Sequence, residues 1–214
     1  MSFYLLDRAR KDQDIMDPEK SESLSKTINS QIIKGKSLIS NIRKLAEIDK
    51  EEVDIKPTSL LEYLSNAIKF VRESNPHLQI EIKVESAEQQ IIVDANEILA
   101  DVFENILVNA IKYNDNPVPE ITIKISKAEL KDENYVKLEF MDNGIGVQDA
   151  KKEGIFLEGY IELKGGKGMG IGLSLITKII KLYNGKIWVE DRVKGDYSKG
   201  SNFIVLIPEV KYNS

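Results

Sequence analysis

The sequence predicts an α+β fold, a mixed sheet covered by helices, preceded by a helical hairpin. Three observations carry that prediction. Residues 21–48 contain no proline and repeat their apolar side chains at helical spacing. From residue 60 onward, amphipathic stretches with helical period alternate with short runs of period-two hydrophobicity. Turn-forming pairs such as Asn75-Pro76, Asn143-Gly144 and Asn184-Gly185 fall between those runs.

Composition bounds the possibilities. The 214 residues are 42% hydrophobic and 30% charged, the balance of a globular protein with one sizeable core. No apolar run approaches the ~18 residues of a membrane span, and no signal-peptide pattern opens the chain. Membrane attachment, if any, is expected only through a region upstream. The absence of cysteine excludes a disulfide framework and a thiolate metal site, and fits a cytoplasmic setting. A net charge of −5, without a basic stripe, argues against a nucleic-acid binder.

Each element follows in order. In 21–48 the apolar residues Leu24, Ile28, Ile32, Leu38, Ile39, Ile42, Leu45 and Ala46 form a broadened heptad stripe, the pattern of a bundle helix. Residues 3–10 read as a shorter helical piece, with a break at Asp17-Pro18. One hairpin of this size cannot bury its stripe, so homodimerisation into a four-helix bundle is expected. The charged run and proline of 49–59 mark a boundary, giving expected domains of 1–52 and 53–214. Beyond it, 60–73 reads as a helix stopped by Asn75-Pro76, and 78–84 and 90–93 as strands. Asp94 and Glu97 form a capping-box pattern for a helix running to Tyr113. Strands are expected at 121–126 and 135–141, joined by a polar turn at 131–134. An irregular segment covers 143–170, and a helix runs from there to about Tyr183. Strands at 186–193 and 203–207 close the chain across KGDYSKG.

Four pieces suggest chemistry. At about 100° per residue, Asn105, Asn109 and Lys112 line one side of the 96–113 helix, opposite Leu99, Val102, Phe103, Ile106 and Ala110. A solvated polar face is one reading. Asparagine, however, is a poor helix former, and amide oxygens are suitable hard ligands for Mg²⁺. In MDNGIGV, Asp142 either caps a tight turn or presents a carboxylate to the exocyclic amine of a base. The glycines Gly166, Gly168, Gly170 and Gly172 precede a helix, as a flexible hinge or as a phosphate cradle. Gly200-Ser201 leads into the last strand.

In this order the pieces resemble the N, G1, G2 and G3 boxes of the histidine-kinase ATP-binding domain, the Bergerat-type α/β sandwich shared with gyrase, mismatch-repair ATPases and a heat-shock chaperone. They read ENILVNAIKYN, DNGIG, GKGMGIGLSL and GSNF, with IFLEGY in the place of the F box and KIIKLYNGKIWVED after G2. The resemblance covers roughly 53–208. It implies an ATP site with Mg²⁺ held by Asn109 and supported by Asn105. Lys112 would meet phosphate, Tyr113 would line the nucleotide site and Asp142 would read the adenine amine. Gly144 and Gly146 would let the base approach. Gly168, Gly170 and Gly172 would form the lid hinge, with Leu173 beside them, and Ser201 would sit behind the base.

KGKSLISNIRKLAEI resembles the second helix of the dimerisation and phosphotransfer module, and FYLLDRA the end of its first helix. The phosphoacceptor H box has no counterpart. The sole histidine, His77, lies in NPHLQIEI and reads as a surface-loop residue. The expectation is therefore a catalytic-core fragment of a sensor histidine kinase, transferring the γ-phosphoryl group to a histidine outside this chain and partnering a response-regulator receiver domain. A non-catalytic dimerising regulator is the alternative. A gyrase-type ATPase is disfavoured because Asn105 stands where its water-activating glutamate would be, with Glu104 about 100° off that face. An anti-sigma serine kinase is disfavoured by the bundle helix.

Overall fold

The computed structural model describes residues 54–157 and 171–210, together with scattered helical positions between 21 and 39. The expected helix at 3–10, the break at Asp17-Pro18, most of the hairpin, and Gly166, Gly168 and Gly170 lie outside the described residues. The chain divides into two compact units, Met1–Lys44 and Leu45–Ser214.

In the second unit a two-stranded ribbon pairs β1 (Lys56–Ser59) antiparallel with β3 (Ile92–Ala95). The main sheet has the order β2 (Glu81–Ser86), β4 (Glu120–Leu130), β5 (Glu133–Asp142), β7 (Asp196–Pro208), β6 (Lys186–Val193). Only β2 and β4 run parallel; the other pairs are antiparallel. Three helices supply the second layer: α1 (Leu60–Ser74), α2 (Ile98–Lys112) and α3 (Ile171–Leu182).

One core lies between them. Leu60, Leu64, Ala67 and Val71 of α1 and Leu99, Val102, Phe103, Ile106, Leu107 and Ala110 of α2 are buried. They share a cluster with alternate residues of the strands, Ile121, Ile123 and Ile125, Val136, Leu138 and Phe140, and Phe203, Val205 and Ile207. Phe103 and Phe140 face each other across the layers with ring centroids 5.9 Å apart. At roughly 1.5–3 kcal/mol per fully buried large side chain, this cluster dominates the stability of the unit.

Several expected boundaries move. β2 and β3 lie two to three residues later than their hydrophobic runs, and β7 begins at Asp196 rather than at Phe203. The KGDYSKG stretch is thus mostly strand: only Lys194 and Gly195 form its turn, Gly195 at φ +82°. β1, with no apolar alternation, was not expected as a strand; it is held by pairing with β3. The expected Asp94–Glu97 capping box does not form. Asp94 is a residue of β3 paired with Pro57, and Glu97 already has helical backbone angles. The cap is Asn96, whose Oδ1 accepts from Ile98 N at 3.2 Å. That same buried amide oxygen accepts from the Tyr183 hydroxyl just past α3, so the start of α2 is tied to the end of α3.

The end of α3 is a Schellman motif. Asn184 takes the left-handed conformation at φ +55°, Gly185 N donates to Ile180 O at 2.8 Å, and Asn184 N donates to Lys181 O at 3.0 Å. A Cβ on Gly185 would lie 2.3 Å from Leu206 O. Because Asn184 carries the left-handed strain, Asn184→Ala is expected to cost about 1 kcal/mol, whereas Asn184→Gly leaves stability unchanged or raised. Urea unfolding of both variants measures this.

Candidate functional site

The site is assembled from the end of β5, the end of α2, the start of α3 and the start of β7. Asp142 ends β5, where Ile121 of β4 pairs with it. It is 4% exposed. Its Oδ1 accepts from Gly144 N at 2.8 Å and from Ser201 N at 3.2 Å. Both bonds land on one oxygen of the carboxylate. Burial raises the carboxyl from 3.8 to about 6, the two backbone bonds and the Arg192 charge opposing it without prevailing.

Glycines are needed around this carboxylate because backbone passes too close for a side chain. A Cβ on Gly144 would fall 2.5 Å from Tyr113 O. On Gly200, at φ +111°, it would fall 1.9 Å from Asp142 O, and on Gly146, at φ +71°, 1.7 Å from Tyr197 O. The β6–β7 hairpin therefore closes directly over the turn that follows Asp142. That turn is also tied to α2, since Ile145 N donates to Tyr113 O at 3.0 Å.

On α2 the amide line appears where the helical period places it. Asn105, Asn109 and Lys112 are partly buried, opposite the core stripe, and Tyr113 is the C-cap. Asn105 Nδ2 donates to Asp101 O at 2.8 Å, one turn back. Its Oδ1 meets the first turn of α3, where a Cβ on Gly172 would lie 2.9 Å away. Lys112 Nζ stands 5.0 Å from the centroid of the Tyr113 ring. Leu173 is half-buried and packs against the core.

The structure thus brings Asp142, Gly144, Gly146, Ser201 and Tyr113 together at one end, and Asn105 with Gly172 at the other. Asn109 and Lys112 lie on the turn of α2 between them. His77 occupies an exposed turn between α1 and β2, away from the sheet core. Sequence reading missed Asn114, Asn116 and Asn143, which interlock beside Asp142. The one available signal was the unusual density of asparagine in YNDNP and DNG. It also missed Lys152, whose Nζ bridges Asp149 at 2.5 Å and Asp191 of β6 at 2.6 Å.

Because the folded-state pKa of Asp142 is raised, the native protein holds this proton where the unfolded chain has lost it. The resulting contribution to stability is full below about pH 4 and lost as pH rises through about 6. Urea unfolding at pH 5 and pH 7.5 should show Asp142→Asn losing this share of the pH dependence.

Comparison with known proteins identifies the fold that carries these residues. Residues 94–211 match the family model described as histidine kinase-, DNA gyrase B- and HSP90-like ATPase. The adaptive-response sensory kinase SasA of Synechocystis sp. is 32% identical over 95% of this chain and 48% of its own length, so the chain spans about half of that relative. The catalytic domain of histidine kinase ThkA superposes with TM-score 0.62 at 25% identity, covering 73% of this chain and 97% of that domain. ThkA in complex with the response regulator protein TrrA superposes over 100% of this chain and 58% of the ThkA chain, with TM-score 0.70 at 23% identity, a likeness of fold.

Proposed function

Because the chain belongs to the family of histidine kinase-, DNA gyrase B- and HSP90-like ATPases and matches sensor histidine kinase catalytic cores within it, we propose that this ATP-binding kinase domain passes the γ-phosphoryl group of Mg-ATP to a histidine other than its own His77. The observation that carries the reading is Asp142: a buried carboxylate with one oxygen held by two backbone amides and the other available to an exocyclic amine.

In this reading Gly144 and Gly146 flank the adenine, Ser201 backs it and Tyr113 lines the site. Lys112, over the Tyr113 ring, supplies positive charge toward phosphate, and Gly168, Gly170, Gly172 and Leu173 belong to the lid and its hinge. Mg²⁺ suits the donor set. Among the described residues no three His, Cys, Asp or Glu cluster to cage an ion. The neutral amide oxygens of Asn109 and Asn105 suit a cation that keeps most of its ligands as water and phosphate. Bound there, the ion would neutralise charge on the phosphates. The chain's own residues orient the nucleotide, and transfer rests on that positioning. Asn105 is no general base, since a neutral carboxamide has no basic site to take a proton from water, so hydrolysis by this chain is expected to be slow.

Two partners follow. Ile32 and Ile39, one heptad apart on helical positions of the first unit, are 49% and 69% exposed, which supports homodimerisation through residues 1–52. The ThkA–TrrA complex supports a response regulator as the downstream partner. The setting is the cytoplasm, where ATP is available; no helix among the described residues is long and apolar enough to cross a membrane.

Labelled ATP tests the reading. The protein alone should bind Mg-ATP without acquiring acid-labile label, and should transfer label to a histidine-bearing bundle hairpin supplied in trans. Binding without transfer would favour the non-catalytic regulator, and rapid turnover a gyrase-type ATPase. Separately, Asn109→Ala should weaken Mg-ATP binding far more than binding of metal-free nucleotide. Calorimetry with and without Mg²⁺ measures this, and equal losses would remove the ligand assignment.

A further inference from the structure

The loop from Tyr113 to Glu120 leads from α2 into β4, and Asn143, beside Asp142, holds it. Asn143 Oδ1 accepts from Asn114 Nδ2 at 2.6 Å and from Glu120 N at 2.9 Å. Its Nδ2 donates to Val118 O at 3.3 Å. The main chain joins in: Asn143 N donates to Glu120 O at 3.2 Å, and Asn143 O accepts from Asn116 Nδ2. Asn114 Oδ1 in turn accepts from both nitrogens of Asn116 at 3.0 Å.

Position gives this cluster its meaning. Asn143 follows Asp142 directly, and Asn114 follows Tyr113 directly. Their bond therefore clamps the base-facing end of β5 to the residue just past the C-cap of α2, which is itself tied by Asn114 N to Ile111 O in the turn that carries Asn109 and Lys112. The amide spreads this pattern over two atoms, Oδ1 accepting twice and Nδ2 donating once. Neither Asn143 nor Asn114 belongs to the group of residues assigned to ligand contact.

We propose that Asn143, acting with Asn114, is a positioning residue that fixes the separation of the base-reading and phosphate-facing halves of the site, and so couples recognition of the base to recognition of the triphosphate. This rests on the nucleotide reading given above. A ligand that touches both halves gains from their being held in register, whereas a ligand that touches only the base half does not.

Titration of wild type, Asn143→Ala and Asn114→Ala with Mg-ATP and with adenosine, followed by NMR, tests this. In Asn143→Ala the affinity for Mg-ATP should fall about tenfold and that for adenosine less than about threefold. Asn114→Ala should shift the ATP-to-adenosine ratio in the same direction. The double variant should lose less than the sum of the two single losses, since both substitutions break the Asn114–Asn143 bond. Equal losses for the two ligands, as simple damage to the Asp142 pocket would give, overturn the proposal, and so does an unchanged affinity for Mg-ATP. If Asn143→Ala does not fold, the ratio in Asn114→Ala decides on the same criterion. Wild-type protein that binds neither ligand is a different result: it removes the nucleotide site, and this proposal with it.

Discussion

A carboxylate buried at the end of a central strand demands compensation, because an ionised group removed from water and left unpaired is strongly destabilising. For Asp142 the compensation comes from two main-chain N–H groups on segments far apart in sequence, those of Gly144 and Ser201. Bringing both to one oxygen sets the local architecture. The chain must reverse within two residues of the strand end, and β7 must run so close that Gly200 has no room for a Cβ. The glycines at 144 and 200 are the backbone's answer to one buried charge. Even so, the compensation is incomplete, and the carboxyl titrates near 6.

The second constraint is that α2 serves two surfaces. Its Leu99–Ala110 stripe belongs to the core, and its amide line faces away from it. A rotation of the helix that improved one surface would misplace the other, so the core packing of Phe103 against Phe140 also orients Asn105 and Asn109. Gly172 shows the tolerance at this contact: the first turn of α3 comes within a Cβ's reach of Asn105 Oδ1.

Much of this was legible in the sequence because the signals were periodic. The stripe of α2, the helix at 60–74 and the strands β4 and β5 follow from spacing, and Asp142 followed from a strand ending in an acid and a glycine turn. What escaped had non-local causes. β1 exists because β3 offers it a partner, and KPTS shows no alternation of its own. Asn96 caps α2 because the ribbon consumes Asp94, a fact visible only once strands are paired. The asparagine cluster escaped because the bonds that tie it to Asn143 join residues 23 to 29 apart in sequence, and hydrogen bonding at that range leaves no periodic trace.

The tie between Asn96 and the Tyr183 hydroxyl has a mechanical consequence. It fastens α3 at its far end, while the glycine-rich approach lies at the near end, twelve residues of helix away. At about 1.5 Å per residue the helix is a lever of roughly 18 Å, so a tilt of about 10° about the tether displaces its first turn by about 3 Å. Such a displacement would separate Gly172 from Asn105, but it would also have to move Leu175 and Ile176, which are fully buried in the core, so the packing of the helix opposes it.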